Sequence, residues 1–201
     1  TYGFSSTDRV LQFASISFDA AVEEIYPCLC VGATLVLRTD EMLALDRFWP
    51  QCQTWQITVL DLPTAYWHQL VPHLISQSLH PLRLVIIGGE RADPKQIDQW
   101  LQAIGPFPQL INSYGPTETT VVATTYNLSH NKLPEQTKPE QTRPEQSKLV
   151  EVPIGRPLAH AQTYVLDTHH RLMPMGTPGE LYIGGAGLAR GYLNQPALTQ
   201  E

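Results

Sequence analysis

The chain has 201 residues, of which 42% are hydrophobic and 16% charged, and its formal net charge is −6. This size and composition suit one globular domain with a substantial core, and the acidic balance without a basic patch excludes nucleic acid as an expected partner. No apolar run reaches the roughly 18 residues that a membrane span needs. The cysteines form a sparse set that matches no usual zinc spacing, which predicts free thiols in a reducing cytoplasm: Cys28, Cys30 and Cys52.

Short apolar runs predict strands that alternate with helical patterns between residues 11 and 122. The predicted strands are 11–15, 33–37, 57–62, 83–89 and 109–114, and the predicted helices are 19–31, 41–54, 63–76 and 93–103. Such alternation is typical of an α/β fold. Residues 1–127 are therefore expected to form a largely parallel sheet with helices on its faces.

The chain changes character after residue 127. Tandem Pro-Glu-Gln-(Thr/Ser)-(Lys/Arg) pentapeptides fill residues 134–148, and a segment without hydrophobic residues cannot offset its ordering entropy by burial. Residues 128–149 are therefore predicted to be a low-complexity loop insertion. Short strands joined by Pro and Gly turns predict that 150–201 form part of a small, β-rich, barrel-like subdomain.

The first predicted helix carries acids close to its apolar side. At about 100° per residue, Glu24 falls opposite the apolar stripe, where water would solvate it, Asp19 falls about 60° from the centre of the stripe, and Glu23 lies at its edge. Like charges at i and i+4 repel, and a carboxylate on an apolar surface is costly unless it is paired. The pattern therefore predicts a cation beside Asp19 and Glu23. The stripe consists of Val22, Ile25, Tyr26, Leu29 and Ala33.

Three predicted strands end in polar or glycine residues. One ends at Asp61, one at Gly88–Glu90, and one at Asn112–Glu118. Ligands of parallel sheets bind beyond the carboxyl ends of the strands. These ends are therefore expected to share one edge of the sheet, with Asp19 nearby.

The stretch INSYGPTETT, residues 111–120, is the most informative one. A tight turn at Gly115 exposes backbone N–H groups beside the hydroxyl of Thr117, and both suit phosphate oxygens. The carboxylate of Glu118 suits Mg²⁺, which one or two carboxylates and a phosphate usually hold, and the Tyr114 ring suits stacking on a base. The alternative is a strand turn followed by a capped helix start. The glycine-rich run 184–192 lacks the Walker pattern and is predicted to be a flexible turn.

Five stretches resemble, in this order, the adenylation domains of nonribosomal peptide synthetases: FDAAVEEIYPCLCVGATLVL, ITVLDLPTAY, INSYGPTETTVVAT, VPIGRPL and GELYIGGAGLARGYLNQPALT. The resemblance covers the chain except 130–149 and extends to the adenylate-forming superfamily of acyl-CoA synthetases and luciferases. It implies an ATP-dependent, Mg²⁺-using ligase. Such a ligase converts an amino acid and ATP to aminoacyl-AMP and pyrophosphate. It then passes the aminoacyl group to the phosphopantetheine thiol of a carrier domain in secondary metabolite biosynthesis.

The resemblance also assigns roles to residues that match the family motifs. Asp19 would bind the α-ammonium group of the substrate. Thr117 and Glu118 would be the catalytic residues, Thr117 on a phosphate and Glu118 on Mg²⁺. The nucleotide slot would be lined by Gly89, Glu90, Asn112, Ser113, Tyr114, Gly115 and Thr117. The pocket for the substrate side chain would be lined by Ala20, Glu23, Asp61, Ile86, Gly88, Ser113, Val121 and Val122.

Two acids in this pocket, Glu23 and Asp61, predict a basic substrate, namely lysine, arginine or ornithine. A hydrophobic or anionic side chain would leave these carboxylates desolvated and repelling each other, whereas Gly88 leaves depth for a long chain. In the alternative arrangement, Glu23 points to solvent and Asp61 caps the helix that starts at Pro63.

Two other functions stay open. One is an aryl or fatty acid–CoA ligase of the same superfamily, against which Asp19 argues because such an acid has no α-ammonium group. The other is a non-catalytic binding module, against which Thr117 and Glu118 argue. The family's phosphate loop, its ribose-binding aspartate and its lysine-bearing lid domain do not occur in these 201 residues. The chain is therefore expected to be a central fragment that is inactive alone.

Overall fold

A computed structural model describes residues 2–131 and 151–200, and the pentapeptide repeats of 134–148 lie outside these ranges. Its main strands are β1 (Arg9–Gln12), β2 (Thr34–Leu37), β3 (Val59–Pro63), β4 (Leu84–Gly88), β5 (Gln109–Tyr114), β6 (Thr124–Asn127) and β7 (Arg156–Pro157). They form one sheet in the order β2-β1-β3-β4-β5-β6-β7, in which β1 to β5 run parallel, β6 pairs antiparallel with β5, and β7 pairs antiparallel with β6. The predicted α/β fold with a largely parallel sheet is thus confirmed.

The α-helices are α1 (Ala20–Cys30), α2 (Leu45–Thr54), α3 (Thr64–Leu74), α4 (Pro94–Ile104) and α5 (Pro196–Gln200). The first four follow the predicted pattern with one interruption, whereas α5 was not predicted. The predicted helix 41–54 is a short 3₁₀ turn, Asp40–Leu43, followed by α2. Ala44 separates the two because its backbone is extended, with ψ 127°.

Side chains alternate between the two faces of the sheet, as the pleat requires. One face carries Leu60 and Val85 and forms the larger core under α2, α3 and α4. The opposite face carries Val59 and Ile86 in a smaller cluster with Cys28 of α1. Asp61 lies two residues after Val59 on β3, so its side chain belongs to the face that α1 covers.

Residues 151–200 are divided between two sheets. β7 pairs with β6 at the edge of the main sheet. The strands β8 (Ala161–Leu166) and β9 (Glu180–Gly185) form a separate antiparallel pair. The boundary placed at residue 150 stays a prediction, and the main sheet extends beyond it. No helix in the described part of the chain is long and apolar enough to cross a membrane.

A buried ion pair holds the amino ends of three parallel strands together. Asp8 precedes β1 and accepts hydrogen bonds from Arg83 before β4 (2.7 and 2.6 Å) and from the hydroxyl of Thr58 before β3 (2.8 Å). Burial acts to raise the pKa of Asp8, but these bonds and the backbone N–H of Ser5 hold it well below its usual range. This network fixes the sheet at the end opposite to the polar strand ends.

Candidate functional site

The three polar strand ends lie side by side, as the sequence predicted. β3, β4 and β5 are consecutive parallel neighbours, with Asp61 opposite Ile86 and Ile87 opposite Asn112. Asp19 begins α1, which follows the carboxyl end of β1. Asp19 and Glu23 lie on this helix, and Glu23 interacts with Asp61 at the end of β3, which brings the helix acids to the strand ends.

Helix α1 turns its acids inward and much of its apolar stripe outward, which corrects the predicted orientation. Tyr26 and Leu29 of the stripe are 64% and 58% exposed, whereas Glu23 is 8% and Glu24 only 1% exposed. The structure thus contradicts the predicted solvation of Glu24 and the alternative in which Glu23 faces solvent. The helical period correctly grouped the residues, but the acidic side faces the sheet.

Glu24 is buried because it accepts hydrogen bonds from the chain that leaves β1. Its carboxylate accepts the backbone N–H groups of Phe13 and Ala14, both at 2.9 Å, and the side-chain amide of Gln12 at 3.0 Å. Burial raises the pKa of Glu24, and these hydrogen bonds partly oppose that rise. Glu24 therefore has a structural role at the end of β1.

Glu23 and Asp61 lie beside Tyr2, a residue that the sequence analysis did not predict for this site. The Tyr2 hydroxyl donates a hydrogen bond to Glu23 Oε1, and it also interacts with Ser113. Asp61 is 8% exposed, and its Oδ2 has no hydrogen-bond partner among the described residues. Nothing in the sequence around Tyr2 marks it as a pocket residue, because only the tertiary fold brings it to α1.

Burial raises the pKa values of both Glu23 and Asp61. Burial raises the pKa of Glu23 to about 7, against a lowering by the Tyr2 hydrogen bond. Burial raises the pKa of Asp61 well above its usual range, and the charges of Glu23 and Glu24 raise it further. No ion pair joins Glu23 or Asp61 to a basic side chain within residues 2–131 and 151–200.

Ser113 of β5 occupies the place where a side chain at Gly88 of β4 would lie. A Cβ at this position would collide with the Ser113 hydroxyl and lie 3.2 Å from the Ser113 carbonyl oxygen. The Ser113 hydroxyl donates to the carbonyl of Ile87 at 3.2 Å, and Thr64 donates to the carbonyl of Gly88 at 3.0 Å. The predicted pocket residues Gly88 and Ser113 are therefore in direct contact.

The turn after β5 is tight and strained. A Cβ at Gly115 would meet the Val121 carbonyl oxygen at 2.5 Å and the Ala123 nitrogen at 2.7 Å, so only glycine fits. Thr120 and Val121 both have left-handed backbones, with φ 62° and 68°, which is costly for β-branched residues. This turn leaves Val121 half-buried and Val122 buried, beside the end of β5.

The predicted nucleotide residues, and Ala20 of the predicted substrate pocket, differ in how far they are exposed to solvent. Tyr114, Thr117 and Glu118 are exposed, as are Gly89 and Glu90, whereas Asn112 and Ser113 are buried and Ala20 and Gly115 half-buried. The Asn112 side-chain amide donates to the carbonyl of Pro153 at 3.0 Å. Tyr114 is 38% exposed.

Glu118 has a partner that the sequence did not predict. Its Oε1 accepts a hydrogen bond from the Tyr192 hydroxyl, which lowers the pKa of Glu118. The backbone N–H of Ala189 donates to the Glu118 carbonyl at 2.8 Å, and Thr120 donates to the carbonyl of Gly187 at 2.5 Å. The run 184–192 is thus attached to the predicted phosphate turn. Its glycine content next to the motif GELYI was the only sequence signal.

Within the described ranges, no group of three or more His, Cys, Asp or Glu side chains is arranged to hold a metal ion. Glu118 offers one exposed carboxylate beside the Thr117 hydroxyl. A single carboxylate of this kind fits Mg²⁺ that a nucleotide phosphate also binds. It does not fit a metal held by protein ligands alone.

The α/β fold thus has, at one edge of its sheet, an exposed turn that the sequence predicts to bind a nucleotide, beside a buried acidic pocket. Residues 1–193 match the family of AMP-binding enzymes, to which the chain therefore belongs.

Similar proteins are large synthetases. The isonitrile lipopeptide synthase of Streptomyces coeruleorubidus is 42% identical over 196 residues, which are 95% of this chain and 12% of that protein. The malpibaldin synthetase of Mortierella alpina is 40% identical over 198 residues, which are 98% of this chain and 3% of that protein. The chain thus spans a small part of the length of these relatives.

Solved structures show the same architecture. The N-terminal subdomain of NpsA from Klebsiella oxytoca, in complex with 3-hydroxybenzoyl-AMSN, superposes with a TM-score of 0.80 at 27% identity over 98% of this chain and 45% of that one. An artificially fused adenylation–PCP di-domain, NpsA-ThdA from the same organism, gives 0.81 at 26% identity over 99% and 37%. The resemblance to adenylation domains of peptide synthetases is confirmed.

Proposed function

We propose that this chain is the substrate-reading part of an amino-acid-activating adenylation domain in a larger synthetase. The whole protein would convert an amino acid and ATP to aminoacyl-AMP and pyrophosphate, and then load the phosphopantetheine thiol of a carrier domain. The membership of the AMP-binding family and the similarity to an adenylation–PCP fusion support this proposal. The free thiols of the described cysteines support a cytoplasmic setting.

The residues at the sheet edge suit the separate parts of these reactants. Asp19 is half-buried at the start of α1, where its carboxylate pairs with an α-ammonium group. The exposed Tyr114 ring offers a stacking surface to adenine, and the turn from Gly115 to Thr117 offers donors to phosphates. Mg²⁺ held by Glu118 would neutralise charge on the phosphates.

The proposed substrate class is a basic amino acid, and the observation that carries it is the buried pair of Glu23 and Asp61. Both carboxyls are buried between α1 and the sheet, and neither has a basic partner in the described structure. An anionic or apolar side chain in contact with them would leave their desolvation uncompensated. A lysine, ornithine or arginine side chain would supply the missing positive charge.

An aryl acid is the second candidate substrate, because solved NpsA structures carry 3-hydroxybenzoyl-AMSN and anthranilyl-AMSN. An aryl acid lacks an α-ammonium group, so it would leave Asp19 without a partner. It would also leave Glu23 and Asp61 unneutralised. The site therefore favours the basic amino acid.

The test is substrate-dependent ATP–pyrophosphate exchange by this segment within its natural flanking sequence. The substrates are lysine, arginine, ornithine, glutamate, leucine, tyrosine and 3-hydroxybenzoate. Glu23→Gln and Asp61→Asn are compared with the parent, and Asp98→Asn, which removes an exposed acid of α4, is the matched control.

Exchange driven by a basic amino acid, weakened by Glu23→Gln and Asp61→Asn and unchanged by Asp98→Asn, is the expected result. Exchange driven by leucine or tyrosine and indifferent to all three substitutions would keep the activity but discard the basic substrate. Exchange driven by 3-hydroxybenzoate would show that the substrate is an aryl acid and not a basic amino acid. No exchange with any substrate would contradict the proposed activity.

A further inference from the structure

The acidic pocket contains more negative charge than the fold compensates. The Tyr2 hydroxyl, from the chain before β1, donates to Glu23 of α1, and Asp61 of β3 is buried on the face of the sheet that α1 covers, with Asp19 at the start of the same helix. Glu24 is satisfied by its hydrogen bonds at the end of β1. Glu23 has the Tyr2 hydroxyl, while Asp61 Oδ2 is sealed from solvent without a hydrogen-bond partner in the described structure.

None of the ion pairs in the described residues involves Glu23 or Asp61. Arg38 is the basic residue whose charge reaches Glu24, and it donates to the Phe13 carbonyl at 2.7 Å and to Asp40 at 3.3 Å. Two buried carboxyls at one place, with no basic partner in the described structure, repel each other when both are ionised, which favours the state in which one of them holds a proton. A proton is the smallest cation that relieves this repulsion, so the pair titrates as one unit.

We propose that Glu23 and Asp61 share a proton when the pocket is empty, and that the charged end of a basic substrate side chain takes the place of this proton. The proton leaves Asp61 for solvent, both carboxylates become anionic, and the substrate ammonium or guanidinium group lies between them. This inference rests on the proposed function. It makes the shared proton, together with Glu23 and Asp61, a determinant of specificity.

The position of Tyr2 agrees with such an exchange. Its hydroxyl donates to Glu23 Oε1, so it supplies a neutral donor to one of the two carboxyls that the substrate cation would also contact. Burial, and then the charge of Glu23, raises the pKa of the Tyr2 phenol far above neutral pH. Tyr2 therefore contributes a hydrogen bond but no titrating proton.

The exchange predicts how the selectivity of the enzyme depends on pH. Because one proton leaves as the cation binds, the affinity for a basic substrate rises about tenfold per pH unit while the pair is protonated. A neutral side chain of the same length displaces no proton, and its affinity does not rise. Selectivity for charge therefore grows with pH until the proton of the empty pocket is lost.

The experiment counts protons by titration calorimetry at about pH 8 in buffers of different ionisation enthalpy. The protein is the adenylation domain with its natural flanks. The probes are two non-reactive acyl-adenylate mimics, the sulfamoyladenosine derivatives of lysine and of 2-aminoheptanoate. In the second probe a methyl group replaces the ε-ammonium group. The expected result is that the lysyl probe releases one proton more than the neutral probe.

Two variants separate this mechanism from a general effect of charge. Asp61→Asn is expected to abolish the extra proton release, whereas the surface control Asp98→Asn is expected to leave it in place. Equal proton counts for the two probes in the parent protein would overturn the exchange and leave the basic substrate standing. Failure of the lysyl probe to bind more tightly than the neutral one at any pH would overturn both proposals.

Discussion

Truncation of the neighbouring acids Glu23 and Glu24 is expected to change the free energy of unfolding by very different amounts. Glu24→Ala removes the acceptor of two backbone N–H groups, at Phe13 and Ala14, and of the Gln12 amide. An unsatisfied buried donor costs about 1–3 kcal/mol. Because Ala14 is only half-buried, we expect the free energy of unfolding to fall by about 3 kcal/mol.

Glu23→Ala removes one of two repelling carboxyls and leaves the Tyr2 hydroxyl without its acceptor. These effects oppose each other, so the free energy of unfolding is expected to change by less than about 1 kcal/mol. Basic-substrate exchange is nevertheless expected to be lost in Glu23→Ala. The stability difference between the two variants is therefore about 2 kcal/mol or more.

Urea unfolding of the adenylation domain with its natural flanks measures both free energies. Tryptophan fluorescence is a suitable probe, because Trp67 and Trp100 lie fully buried with ring centroids 5.6 Å apart. Equal urea midpoints for Glu24→Ala and the parent would refute the structural role of Glu24. Equal losses in Glu23→Ala and Glu24→Ala would refute the distinction between the two acids.

Three further predictions concern the pocket and the nucleotide turn. Burial raises the pKa of Asp61, so the stability that its protonated form contributes is fully present below about pH 4 and is lost as the pH rises. Asp61→Asn should therefore reduce the fall of the urea midpoint with rising pH. An unchanged dependence of the midpoint on pH would contradict this prediction. Gly88→Ala should break the hydrogen bond from the Ser113 hydroxyl to the Ile87 carbonyl and lower the free energy of unfolding by about 1 kcal/mol. It should also raise the KM for a basic amino acid. An unaltered KM would show that this glycine does not shape the pocket. Tyr192→Phe removes the hydrogen bond to Glu118, so the pKa of Glu118 should rise and its carboxylate should become available to a metal ion. The Mg²⁺ concentration for half-maximal exchange should fall, on the order of threefold. An unchanged Mg²⁺ dependence would argue against Glu118 as the metal ligand.

The sequence by itself determined the elements of the main sheet and the edge at which the site lies. Buried parallel strands are short, continuous apolar runs, and the residues that interrupt them are visible without a structure. The prediction for β5 matches Gln109–Tyr114 at both ends. Asp61, Gly88 and Asn112 were placed on one edge because parallel neighbours end together.

Only the tertiary structure decided which side of α1 faces the sheet. A helical period groups residues on a face but does not say which face turns inward, because that depends on what lies opposite. Here the free N–H groups after β1 need an acceptor, and Glu24 supplies it. The apolar residues Tyr26 and Leu29 are left outside as a result.

The contacts of Tyr2 and Tyr192 were likewise decided by the tertiary structure alone. Tyr2 lies 21 residues from Glu23 and Tyr192 lies 74 residues from Glu118. No local period or turn signal relates positions so far apart in the chain. Their hydroxyls meet these carboxylates because strand order and loop paths bring separate segments together, and those long-range packing choices follow from the whole chain.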